Sequence, residues 1–168
     1  MMPDMKNAMQ KAGLSSSPAP GSRPAEKRSS GGEPGGACRD CFPPGYPVYF
    51  GPDGHTRPDL LLREAEDIAA CLESAKLRRH QLRAFYGHAK LQLQRLQNGA
   101  SFGEIHADIA KLKAFAADRA GRRDNALPEP FKRFIDLNVN AVRDKHSFEK
   151  GFMLHFEAVV AYCARIRE

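Results

Sequence analysis

The chain contains no tryptophan, and only 8% of its residues are aromatic. Most of those rings fall on predicted core positions, which argues against sequence readout by base stacking and favours backbone contact. No apolar run approaches the ~20 residues needed to cross a bilayer. The start, Met-Met-Pro-Asp, is neither a lipidation motif nor followed by the apolar stretch of a signal peptide. The expectation is a soluble, cytoplasmic protein with no membrane partner. A Gly-rich phosphate loop, a serine–histidine arrangement and paired carboxylates are all missing, and the acids are scattered. No cofactor and no catalytic residue are expected on these grounds.

The four cysteines make no second C-x-x-C. Cys38 and Cys41 form the one such motif, beside Pro43-Pro44-Gly45. A structural zinc ion wants four ligands. His55 could supply a third, and a fourth is not evident. The pair therefore reads as reduced thiols in a loop, with zinc as the alternative, and no metal site is assigned. Cys71 and Cys163 occupy apolar helical positions and read as buried thiols.

Of 168 residues, 26 are Lys or Arg and 20 are Asp or Glu, a net charge of +6. Residues 1–37 are crowded with Pro, Gly and Ser and hold few large apolar side chains. Such a segment cannot bury enough surface to offset its ordering entropy, so a disordered tail is predicted. Residues 38–57 are turn-rich, with an extended clip at Val48–Phe50 and a turn at Pro52-Asp53-Gly54.

From 58 to 168 the periodicity is helical throughout, which predicts an all-α, compact bundle of about five helices without internal repeats. The first helix starts near Pro58, with Thr56 as a cap, and buries Leu61, Leu62, Ala65, Ile68, Ala69 and Leu72. The second, about 78–98, uses Leu82, Phe85, Tyr86, Ala89, Leu93 and Leu96 and stops at Asn98-Gly99. The third, 102–120, uses Phe102, Ile105, Ile109, Leu112 and Ala116, and Gly121 closes it. The fourth begins at Pro128 or Pro130 and uses Phe131, Phe134, Ile135, Leu137 and Val142. The fifth begins at Ser147 as N-cap and buries Phe148, Phe152, Phe156, Val159, Cys163 and Ile166. His155 reads as a histidine at the core edge.

The positive charge is regional. Residues 78–123 hold ten Lys or Arg against three acids, a net +7 that exceeds the whole chain's +6. On a helical wheel Arg79, Arg83 and Lys90 fall within about 40° of each other. Lys111 and Arg122 share a flank of the third helix, with Arg119 between that flank and the core and Lys113 on the other side. Arg122 and Arg123 run into the following turn. Long cationic side chains spaced along an axis, with few carboxylates, suit a phosphate backbone. A solvated charged face is the plainer reading of the same residues. A catalytic alternative is the R-x4-H of HEPN-type ribonucleases, Arg83 to His88, in which the histidine would act as general acid or base. Ala84 stands where those enzymes carry a polar residue. His80, His106 and His146 form no recognisable spacing.

Three segments resemble one family. They are Gln81-Leu82-Arg83-Ala84-Phe85-Tyr86 on to Lys90, Ile109 through Leu112-Lys113 to Gly121-Arg122, and Phe152 through His155-Phe156-Glu157-Ala158-Val159-Val160-Ala161-Tyr162. Over about residues 60–168 they are similar to the small subunit of type III-A CRISPR effector complexes, the Csm small-subunit family. The resemblance implies a non-catalytic helical protein, present in several copies inside a ribonucleoprotein filament. Its implied partners are crRNA and target RNA, the other Csm effector subunits and further copies of itself. The matching positions imply RNA contacts at Arg83, Lys90, Lys113 and Arg122. The wheel adds Arg79, Lys111, Arg119 and Arg123. Asp118 departs from the pattern by placing an acid inside the basic zone. The competing classes are a stand-alone nucleic-acid-binding helical protein and the HEPN enzyme.

Overall fold

The computed structural model describes residues 41–165. The expected tail at 1–37, Cys38 and the core position expected at Ile166 lie outside the described residues. Five helices and no strand occur among those described. A π-helical stretch Leu60–Glu64 runs into α1, Ala65–Ser74. Then come α2, Arg79–Gln97, α3, Phe102–Ala120, and α4, Glu129–Ala141. A second π-helical stretch, Ser147–Phe152, runs into α5, Met153–Tyr162, and a 3-10 turn at Cys163–Arg165 follows. Helix α5 packs against α1 and α2, and α3 packs against both α2 and α4.

Local chemistry accounts for the boundaries. Ser101 and Glu104 form a reciprocal capping box at the start of α3. Helix α2 ends in a Schellman motif, with Ala100 N–H on the Arg95 carbonyl, Gly99 N–H on Leu96, and Gly99 at φ +97°. Helix α1 ends in the same motif, Leu77 on Leu72 and Lys76 on Glu73, but with Lys76 at φ 61°. Buried Leu77 and Leu72 supply its hydrophobic contact.

Three local expectations are corrected. Leu60 is fully buried while Leu62 is 57% exposed. A π turn bonds i to i+5, so the extra residue shifts the phase and brings Leu60 inward in place of Leu61 and Leu62. Thr56 does not cap α1; its hydroxyl donates to the Lys150 carbonyl at 2.8 Å and fastens the clip to the far stretch. The cap before α5 is Asp144, whose carboxylate accepts from Ser147 N–H at 2.7 Å, while the Ser147 hydroxyl accepts from Asp144 N–H at 3.0 Å. Ser147 is thus three residues past the cap, inside the first turn.

The cysteine expectations also change. Cys41 is disulfide-bonded to Cys71, with Cα atoms 6.0 Å apart, so neither is the free thiol expected. A shared C-x-x-C drew Cys41 towards Cys38, whereas the fold returns residue 41 to the flank of α1. Cys163 is a buried thiol, and desolvation pushes its pKa up to about 12.

Residues 41–57 close one side of the core. Phe42, Tyr46 and Tyr49 are buried with the helical residues. A bridge pairs Phe50 with Thr56, and Gly54 takes φ +77° in the turn between them. Phe131, Phe134, Phe148, Phe152 and Phe156 fill the centre, each fully buried. Gly151 is needed where Tyr49 lies on the backbone: an added Cβ would sit 2.5 Å from the tyrosine ring.

A polar chain runs through this core. His155 is fully buried, not at the core edge. Its Nδ1 lies 3.0 Å from the Leu60 carbonyl, which can only accept, so Nδ1 carries the proton. Nε2 then accepts from the Tyr46 hydroxyl at 2.7 Å. That hydroxyl accepts from Asn138 Nδ2 at 2.9 Å, and Asn138 Oδ1 accepts from the Tyr49 hydroxyl at 2.9 Å. Burial lowers the His155 pKa to about 4 and raises those of both tyrosines.

Candidate nucleic-acid interface

Helices α2 and α3 are joined by three residues, 99–101, beyond the Asn98 cap, and they pack together as a hairpin. Their outer faces carry the candidate cations. The structure sorts these by what each already holds.

Arg83 and Arg123 are exposed and have no side-chain partner among the described residues. Lys90 is exposed too, but its ammonium is 3.2 Å from the Tyr86 hydroxyl and 3.8 Å from the Glu157 carboxylate. The Tyr86 bond and then the nearby Glu157 charge raise its pKa. The closing sequence around Phe156 thus reaches the basic face through Glu157.

Asp108 gathers two cations. Lys111 pairs with it at 2.6 Å and Arg95 at 2.5 Å, Lys111 being the larger cause of its lowered pKa. Arg122 pairs with Asp118 at 2.6 Å across one turn, both side chains largely exposed. Such pairs exchange readily for a phosphate, because exposed ion pairs contribute only about 0–1 kcal/mol. Lys113 donates to the Asn140 side chain of α4 at 2.8 Å. Arg79 donates to the Ala164 carbonyl at 2.7 Å, which ties the start of α2 to the end of α5. Arg119 lies with its guanidinium carbon 5.6 Å from the centre of the Phe85 ring.

The wheel's grouping of Arg79, Arg83 and Lys90 corresponds to one side of α2, though Arg79 is engaged at its end. Arg95 entered the charge count without being singled out, and here it is committed to Asp108. His88 points at α3: its Nε2 is 3.2 Å from the Asp108 carbonyl and its ring stands edge-on to Phe115 at 5.6 Å. Phe115 is 44% exposed, one position away from the buried Ala116. In the sequence Phe115 stands out only as part of Ala114-Phe115-Ala116-Ala117-Asp118-Arg119, a stretch that departs from the family resemblance, and it carries no site assignment there.

Among the described residues, no group of three His, Cys, Asp or Glu side chains is placed to hold a metal ion. No described helix is long and apolar enough to cross a membrane. Comparison with curated proteins finds no match, and comparison with solved structures finds none. A protein-family model described as Csm2 Type III-A matches residues 55–167.

Proposed function

The chain belongs to the Csm2 Type III-A family, the small subunit of type III-A CRISPR effector complexes, and on that premise we propose that it is a non-catalytic subunit that grips RNA by its sugar–phosphate backbone. It serves antiviral defence by supporting the ribonucleoprotein filament, alongside other Csm subunits and further copies of itself. The RNA is the crRNA and its target.

The observation that carries this reading is the unequal engagement of charge on the α2–α3 hairpin. Arg83 and Arg123 stand exposed without an internal partner among the described residues. Lys90 and Arg122 sit in exposed pairs that a phosphate can replace, and Lys111 is exposed although its partner Asp108 is half-buried. Arg79, Lys113 and Arg119 complete the set from half-buried positions. Backbone contact needs mobile cations at intervals and no base edges, and these helices supply that.

The HEPN reading is disfavoured by placement. Arg83 faces solvent, whereas His88 is turned into α3 against the Asp108 carbonyl and Phe115. A catalytic Arg–His set needs the guanidinium and the imidazole that serves as general acid or base to converge on one reacting site.

The test is reconstitution with the remaining Csm subunits and crRNA. Arg83→Ala with Lys90→Ala should weaken target-RNA binding and target-dependent activity, while His88→Ala leaves the isolated subunit without nuclease activity, as in wild type. Metal-independent RNA cleavage by the purified chain, lost in His88→Ala, would contradict the reading.

A further inference from the structure

An open cleft of about 390 Å³ lies between α2 and α3, lined by Phe85, His88 and Phe115 and, at its charged side, Asp118, Arg119 and Arg122. Its size is at the low end for small-ligand sites, roughly 300–1,000 Å³. Phe115 is the most exposed of the described phenylalanines, 44% open. An aromatic ring left part-open to water in a bundle with a full aromatic core forgoes part of its burial.

The surroundings of that ring narrow what could cover it. His88 stands perpendicular to it at 85°, its Nε2 proton given to the Asp108 carbonyl. With Nε2 as the donor, Nδ1 is the ring nitrogen left for a further hydrogen bond. Arg119 is poised over Phe85, and Arg122 is held only by an exposed carboxylate. A flat apolar face beside an acceptor and two guanidinium groups matches a planar heterocycle that carries an amino group and a phosphate.

We propose that this cleft seats one unpaired RNA base, stacked on Phe115, with the adjoining phosphate met by Arg119 and Arg122. The proposal rests on the backbone-binding reading and adds a base contact to it. Stacking tolerates every base, since each has a π face, so the site adds affinity without a sequence code. A peptide would need an acidic residue next to its apolar side chain to serve both the ring and the guanidinium groups, whereas every nucleotide brings its own phosphate.

Two single-stranded RNAs of equal length and phosphate count distinguish the possibilities, one ordinary and one carrying abasic riboses throughout. Each is titrated against the full-length chain, Phe115→Ala and Phe115→Tyr. Wild type should bind the ordinary strand more tightly than the abasic one. Phe115→Ala should lose about fivefold or more on the ordinary strand, the lower bound of base–aromatic stacking, and nothing on the abasic strand; Phe115→Tyr should keep wild-type affinity. Equal, salt-sensitive binding of both strands, unaffected by Phe115→Ala, would overturn the base subsite and leave the backbone reading standing. An equal loss on both strands would also overturn it, as would a Phe115→Ala chain that binds RNA normally but fails to join the other subunits. Failure of wild type to bind either strand would remove both readings together.

Discussion

The Tyr46 hydroxyl donates to His155 Nε2 across 2.7 Å, joining the turn-rich segment before the bundle to its last helix. The bond fixes the imidazole as neutral, because Nδ1 is already committed to the Leu60 carbonyl. Neither group has water to fall back on. Tyr46→Phe would leave His155 Nε2 without its donor and deprive Asn138 Nδ2 of one acceptor. The expected cost is about 1–3 kcal/mol in chemical denaturation. A change below about 0.5 kcal/mol would mean that the network contributes little.

The same histidine sets an acid limit. Its pKa is about 4 when folded, against the ordinary 6.5. Between those values the unfolded chain binds a proton that the folded chain does not, so stability falls as pH falls. The contribution is fully present above pH 6.5 and lost by about pH 4, and amounts to about 3 kcal/mol. Denaturation midpoints at pH 7, 5.5 and 4 should decline, and His155→Gln should flatten that part of the decline.

Phe156 is fully buried and contacts the Phe131, Phe134 and Phe152 rings at centroid distances of 6.4, 5.3 and 5.5 Å. Phe156→Ala should cost about 3–5 kcal/mol. Gly151→Ala should cost about 1–3 kcal/mol, because the new methyl meets the Tyr49 ring and Cβ, neither a flexible end. Urea titrations would measure both, and a neutral Gly151→Ala would show that Tyr49 is not seated on the π-helical stretch before α5 as described.

Lys76 offers a change in the opposite direction. It occupies the left-handed position of a Schellman motif that Gly99 fills in the next helix. Lys76→Gly should stabilise the fold by about 1 kcal/mol, since only the strain of a Cβ at φ 61° is removed. A lower melting temperature for this variant would contradict it.

Much of the bundle was legible because its apolar stripes are long. Ile105, Ile109, Leu112 and Ala116 state α3 plainly, and Phe148, Phe152, Phe156 and Val159 state α5. Leu60 was missed because a π turn leaves no local mark and moves the phase by one residue. Phe42, Tyr46 and Tyr49 were missed as core because their segment has turn composition; the two tyrosines are seated against Asn138, Gly151 and His155, about 90 or more residues away. At the interface the excess of cations was readable from counting. Which of them were spoken for was not: Lys113 is held by Asn140 on α4, and Arg79 by a carbonyl past α5. Helix phase says which side a residue takes, not which acceptor waits there.

The most direct test of the central claim is the salt dependence of RNA affinity, measured for wild type and for Arg83→Ala with Arg123→Ala. Backbone binding requires log Kd to rise linearly with log salt, with a slope of about 0.7 per phosphate contacted on a single strand. If each arginine holds one phosphate, the double variant should lower that slope by about 1.4 for strands of any sequence. A flat salt response in wild type, or a slope unchanged by removing both arginines, would contradict the account.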